Sequence, residues 1–506
     1  MELSMEYQSS NSCAIAFTGT GRQAVATDFT LPDYCSDIER ILRCGGAVQL
    51  HTISENAGHL HADGEIDLRL LYLNEEGQPD LFEQHLPLSV SLQMPDPAEN
   101  GVLRAHATID YLNCHARSPR KISLNGSVSV QFEVLQSKEE QIVSSLPSCE
   151  SLSQQIAVSS LVSLQQRTFD LSETVSLPAA LPPVEKLIRA DALPTVQSVE
   201  AVDHKLLVKG SLQIDAVYLT QDKSIEKFRH TLPISQVLEV PGVTAGSLID
   251  LSLETQALYV QTKRDGADEM RLLDLAAKLS ALVRAYENRT LSGVIDCYAT
   301  NASLQPQTAL RSYPLFLKQV QISAQAEESM ETGVAGCEVL DAVVDSKKTK
   351  TVCDADSIEI ETDVTLLLLL RDPNGNLHVL ERNTQLHLKE MLHLDADDAQ
   401  FSPAVNVSVN GVHVLENGNL KADLLIQAAG NLFAVLQNTV VTGGEILECD
   451  KQPDCQLILY FGKTGELLWP IAKRYRSTVG LIRSENNLSD NTLAEDRLLM
   501  IPTVVS

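Results

Sequence analysis

His59-x-His61-x-Asp63 sets three metal-capable side chains at alternate positions, which a strand would place on one face. An internal duplication described below puts Lys205, Leu207 and Lys209 at the same places, so an exposed hairpin face is the expectation. The remaining histidines show no H-E-x-x-H spacing. Gly19-Thr20-Gly21-Arg22 is too short for a phosphate loop, and neither a G-x-x-x-x-G-K-[ST] nor a G-x-S-x-G motif occurs. The acidic pairs Glu75-Glu76 and Asp397-Asp398 fall in expected turns and read as solvated. No catalytic set, metal-ligand set or cofactor is therefore expected, and the chain reads as non-enzymatic.

The other concentration of distinctive side chains is GELLWPIAKRYRSTVGLIRSENNL, Gly465 to Leu488, which holds the only tryptophan. Leu467, Leu468, Ile471, Ala472 and Tyr475 form a helical stripe. Pro470 is tolerable only in the first turn of such a helix. Val479, Leu481 and Ile482 would give a second helix its inner face, and Asn486-Asn487 suits an exit through a left-handed residue. Trp469 is expected to anchor the small core. From residue 455 onward six basic residues face five acidic ones, so this segment carries +1 and the rest of the chain −29. Gly465, Glu466, Leu467, Trp469, Lys473, Arg474, Arg476, Asn487 and Leu488 are the candidate partner-contact residues. Lys473, Arg474 and Arg476 suit an acidic partner, or equally a helix end complementing its dipole.

The elements that position these residues follow from a repeat. Leu31–Pro95 and Leu177–Pro241 match at a constant offset of 146 residues without a gap. Leu31-Pro32 falls on Leu177-Pro178, IERILR (38–43) on VEKLIR (184–189), Gly64 on Gly210, LYL (71–73) on VYL (217–219), and Leu86-Pro87 on Leu232-Pro233. Inside each copy, alternating apolar runs separated by turns predict strands, including 122–132 and 276–286. IERIL and VEKLI predict one or two turns of helix, with Ser36 or Asp37 as cap. A diverged third copy is expected at 315–447, where TLLLLL, the DPNG turn (372–375) and LHVL repeat the strand–turn–strand plan. The Leu-Pro lead-in is missing there. The division expected is 1–150, 160–310, 315–447 and 455–506, with linkers at 137–165, 300–314 and 442–456.

Bulk properties narrow the class. A 506-residue chain that is 44% hydrophobic and 21% charged is a folded protein with several cores. A net charge of −28 argues against nucleic-acid binding, and 4% aromatics against base-stacking platforms. The apolar run Val364–Leu370 is too short to span a membrane. The first residues show no secretory signal, so a cytoplasmic location is expected, with the ten cysteines reduced or, at most, a Cys449–Cys455 bridge.

The duplicated lead-in, I-E-R-I-L segment and G-x-x-x-L-x-x-x-Y-L strand resemble the SPOCS domain of sporulation proteins in endospore-forming bacteria. Residues 457–461, 465–475, 477–488 and 497–502 resemble the strand, two helices and strand of a LysM domain. Together they are similar to the SipL-like spore-coat morphogenesis family. The resemblance implies a mainly β chain, with tandem β-sandwich-like SPOCS repeats followed by a small βααβ LysM domain. It also implies a role in coat assembly on the mother-cell side of the forespore surface. The partner it implies is the coat's basement-layer ATPase, contacted through the LysM-like domain, with other coat proteins as further candidates. Where glycan-binding LysM domains commonly carry Gly-Asp-Thr, this chain has Gly465-Glu466-Leu467. A leucine replaces the small hydroxyl beside the sugar, which favours protein over peptidoglycan as ligand.

Overall fold

The computed structural model describes residues 4–96, 100–332, 336–354, 356–392, 398–415, 418–447 and 457–503. Cys449, Cys455 and Asp397 lie outside them. The chain is mainly β, as the alternating patterns predict.

In the first copy, β1 (Glu6–Thr30), β5 (Val102–Ser118) and β6 (Lys121–Ser145) form one antiparallel sheet in the order β1-β6-β5. β2 (Ile38–Asn56), β3 (His59–Asn74) and β4 (Pro79–Gln93) form a second. Alternate residues of the two sheets, among them Leu60, Ile66, Leu68, Val128, Val130 and Phe132, meet in a dry sandwich core. The second copy repeats the plan. β7 (Glu150–Ser176), β12 (Met270–Tyr298) and β11 (Leu248–Arg264) make one sheet, and β8 (Val184–Val202), β9 (Lys205–Thr220) and β10 (Ile225–Glu239) the other. In the third, β13 (Ser303–Met330), β17 (Ala399–Phe401), β18 (Ala404–Val414) and β19 (Leu420–Leu447) stand opposite β14 (Glu338–Asp354), β15 (Ser357–Arg371) and β16 (Leu377–Met391).

Several local devices recur in register. Tyr72 and Tyr218, both fully buried, donate their hydroxyls to the carbonyls of Ser36 (3.2 Å) and Pro182 (3.0 Å), pinning each lead-in turn to its sheet. Arg120 and Arg271 clamp the Leu-Pro turns by donating to Pro32 and Pro178 carbonyls. A Cβ on Gly64 would lie 2.0 Å from Gln49 O, and one on Gly210 2.2 Å from Thr195 O, so the strands can approach only at glycine. The hairpin turns after Asn74, Thr220 and Asp372 close identically, with Gly77, Lys223 and Gly375 in the left-handed region.

Three expectations fail. IERIL and VEKLI open β2 and β8 as strand. Paired bulges interrupt them, between Ile38/Arg40 and Ile41/Arg43 and between Val184/Lys186 and Leu187/Arg189. Each bulge inserts a residue and resets the alternation, so apolar positions fall three apart as in a helix. The Ser/Gln-rich stretch 137–165 and residues 303–314 are largely strand, pairing along β1, β12 and β19. Finally, Cys44 and Cys114 form a disulfide joining β2 to β5, so not every thiol stays unpaired; six other cysteines are free among the described residues.

The three copies are not beads on a string. Copy one's β3 and β4 touch β8 and β9, copy two's β10 touches β14, and copy three's β16 touches β2, closing a ring. Its centre buries Leu71, Leu81, Ile188, Val217, Ile225, Leu340, Leu369 and Leu377, each worth roughly 1.5–3 kcal/mol on burial. The bulges aim equivalent residues at this axis. Arg189 donates to Asp341 at 3.0 Å, and Arg43 lies 3.8 Å from the same carboxylate, which is nearly buried. A second three-way junction gathers Ile142, Ile156, Leu291, Tyr313 and Val440.

Candidate interaction site

The carboxy-terminal module comprises β20 (Leu457–Gly462), α1 (Leu468–Tyr475), α2 (Val479–Glu485) and β21 (Arg497–Pro502), the expected βααβ order. β20 and β21 pair antiparallel, Leu459 opposite Met500 and Phe461 opposite Leu498. Leu468, Ile471, Ala472, Ile482, Leu493, Leu499 and Ile501 form the core. Pro470 sits in the first turn of α1, where its missing N–H costs nothing. Both helices end in six-to-one backbone closures. Ser477 N–H reaches Ala472 O around left-handed Arg476, and Leu488 N–H reaches Arg483 O around left-handed Asn487. The Thr478 side chain caps α2 by accepting from Leu481 N–H.

Gly465 takes φ +83° and donates its N–H to Leu493 O, while Leu493 N–H returns to Glu466 O. Leu467 bridges to Thr492. Thr464, through N–H and hydroxyl, holds Asp496 at 2.7 Å. The loop before α1 is thus zipped to the loop before β21. Glu466 accepts from the Tyr460 hydroxyl (2.6 Å) and from Lys463 N–H, and these bonds hold its carboxyl below the usual glutamate range. Leu467 itself is 53% exposed.

Trp469 does not sit at the centre of this core. It is half-buried at the edge and packs edge-to-face on Tyr298 of β12, 5.0 Å between ring centroids. Its indole N–H donates to Asp296 Oδ2 at 2.8 Å, and Lys473 Nζ donates to Asp296 Oδ1 at 2.5 Å. The Tyr298 hydroxyl donates to Ser477 O at 2.7 Å. The second copy's last strand therefore supplies both the anion that seats the module and an aromatic ring of the module's own core. Beside this seam, burial pushes the Cys297 thiol up to about 11.

The nine expected residues thus divide. Gly465, Glu466 and Leu467 form one loop, Trp469 and Lys473 face β12, and Arg474 lies over the Tyr475 ring. Arg476, Asn487 and Leu488 shape helix ends. Two groups were not anticipated. Asn486 is buried and bonds both Ile482 O and the backbone of Met500, tying α2 to β21. The outer face of the β20–β21 pair presents Leu459 and Phe461, each 62% exposed, with Leu498 and Met500 beside them. Burial alternates along both strands, and the sequence signal is that LILYFG and RLLMIP are apolar at successive positions, so that both faces of the pair carry apolar side chains.

Lead-in-clamped three-stranded sheets in duplicate, followed by a βααβ module, define a repeat-built β protein with a small appended α+β fold. A family model described as "SipL, SPOCS domain" matches residues 183–263, from the start of β8 almost to the end of β11, and a LysM domain model matches residues 463–502. No curated protein and no solved structure matches the chain. Over these two stretches the chain is similar to the SipL-type SPOCS domain and to the LysM domain, the pair that its sequence resembles.

Proposed function

We propose that this protein is a non-enzymatic spore-coat assembly factor, in which the ring of SPOCS-type copies carries the LysM-type module to the coat's basement-layer ATPase. The union of a SPOCS match and a LysM match in one chain carries this reading. Leucine at position 467 and the apolar outer face of β20–β21 favour protein as the module's ligand. Lys463, exposed and two residues beyond Phe461 at the end of that face, suits an acidic rim on the partner. The organisation proposed is copies at 1–150, 160–310 and 315–447 and a module at 455–506, acting in the mother-cell cytoplasm at the forespore surface.

The test is a pull-down from sporulating cells with the full chain and with a chain ending at residue 447. Recovery of the ATPase by the full chain alone supports the proposal, and equal recovery by both overturns the module's role. The LysM match itself favours a second reading, binding to peptidoglycan or cortex glycan. Co-sedimentation of the full chain with purified sacculi at micromolar concentration would establish that reading instead.

A further inference from the structure

We infer that Glu65, Asp67 and His85 form a binding site for a divalent cation of the Zn2+ class at the seam between the first and second copies. One donor atom from each of the three lies within 4.8 Å of the others. A cation with bonds of about 2.0–2.2 Å draws ligands from that range by side-chain rotation alone. The sheet register builds the set: Asp67 pairs with His85 across β3 and β4, Glu65 shares the face two residues earlier, and Gln49 of β2 stands opposite Glu65. The opposite face, with Ile66 and Leu68, enters the sandwich core.

The surroundings lack a counter-charge and hold a stranded acceptor. Among the described residues, the ion-pair partners of Glu65 and Asp67 are imidazoles: His51 Nε2 is 3.7 Å from Glu65, and His85 Nδ1 is 2.6 Å from Asp67. Gln49 is only 7% exposed. Its Nε2 donates to Asp67 Oδ2 at 2.5 Å and to Leu258 O of β11, which holds the amide against the carboxylate. Its Oε1 is buried with no hydrogen-bond partner, the condition a bound cation or its water relieves. Tyr259 of β11 reaches His51 Nδ1 at 3.2 Å, so the second copy closes the site from above.

The fold does not demand these charges. Copy two has Thr195, Ser211, Gln213 and Thr231 at the four positions, and copy three pairs Thr365 with Asn383 where copy one pairs Asp67 with His85. A mixed imidazole and carboxylate donor set selects a borderline cation such as Zn2+ over Ca2+ or Mg2+. Held there, the ion would fasten β2, β3 and β4 beneath β11.

Calorimetric titration of the metal-stripped full chain with ZnCl2 tests the site. One equivalent should bind, with a rise in unfolding temperature. His85→Ala, at an exposed ring whose loss spares the core, and Glu65→Gln should each weaken binding at least tenfold, while His59→Ala should not. Co2+ should bind competitively without a thiolate-to-cobalt absorption band. Absence of binding, binding undiminished in His85→Ala and Glu65→Gln, or a thiolate band placing the metal on cysteines would each overturn the inference.

Discussion

Copies one and two share what the fold needs and differ in what it leaves free. Both keep the close-approach glycine, the buried tyrosine that pins the lead-in and the arginine that clamps it. They part at the outer face of the β2-β3-β4 sheet, where copy one alone is acidic and histidine-rich. They part again at the end of the long strand, where Asp296 and Tyr298 of copy two seat the module. A 151-residue offset puts Ser145 of copy one in the place of Asp296. Duplication has kept the scaffold and let one face and one strand end acquire separate tasks.

The sharpest break in the shared set is Gly64→Ala or Gly210→Ala. Each methyl would meet a backbone carbonyl, and chemical denaturation should show a loss of about 3 kcal/mol in either copy. Unequal losses would mean that the two copies do not use the glycine alike. Next in size is Asp296→Ala, which strips both an indole and an ammonium of their acceptor. It should cost about 2 kcal/mol at the seam and speed hydrogen exchange along α1, with the far sheets unaffected. Tyr72→Phe and Tyr218→Phe should each cost about 1 kcal/mol by the same denaturation measurement.

Acid separates the copies further. Burial alone would raise the Asp80 carboxyl, but hydrogen bonds from Lys186 of copy two, from Ser36 and from Leu81 N–H outweigh it and hold the group at about 2. Its folded value lies below its unfolded one, so its contribution is complete above about pH 4 and disappears as pH falls toward 2. Discounted for solvent screening, that is about 1 kcal/mol, and Asp80→Asn should flatten the acid limb of the unfolding curve by this amount. Smallest is Gly77→Ala at φ +74°, where open space leaves only backbone strain, a loss of about 0.5–1 kcal/mol in thermal unfolding.

The scaffold was legible because the 146-residue offset holds without a gap from Leu31 through Pro95, and because alternation in runs such as ISLNGSVSVQF maps directly onto buried and exposed faces. The module was legible from Pro470, the Asn-Asn exit and two apolar stripes, although Leu467 and Leu481, both expected to face inward, are exposed. What escaped has one physical origin, contacts between residues far apart in the chain. Paired bulges made IERIL imitate a helix, because the partner strand that imposes them lies some thirty residues away. Trp469 reads as a core residue until Asp296, 173 positions earlier, claims its N–H. Glu65, Asp67 and His85 gather only through strand register, which no local spacing announces.

The meeting of Arg43, Arg189 and Asp341 has a consequence for the newborn chain. Ribosomes deliver the copies in turn, and 152 residues separate the second arginine from the aspartate that joins it. At about 5–20 residues per second, two guanidinium groups and a ring of leucines wait roughly ten to thirty seconds for their last partner. A nascent chain paused in that interval would display an unfinished apolar surface, the kind that folding helpers recognise. The third copy, whose lead-in has drifted furthest, is the one that ends this wait.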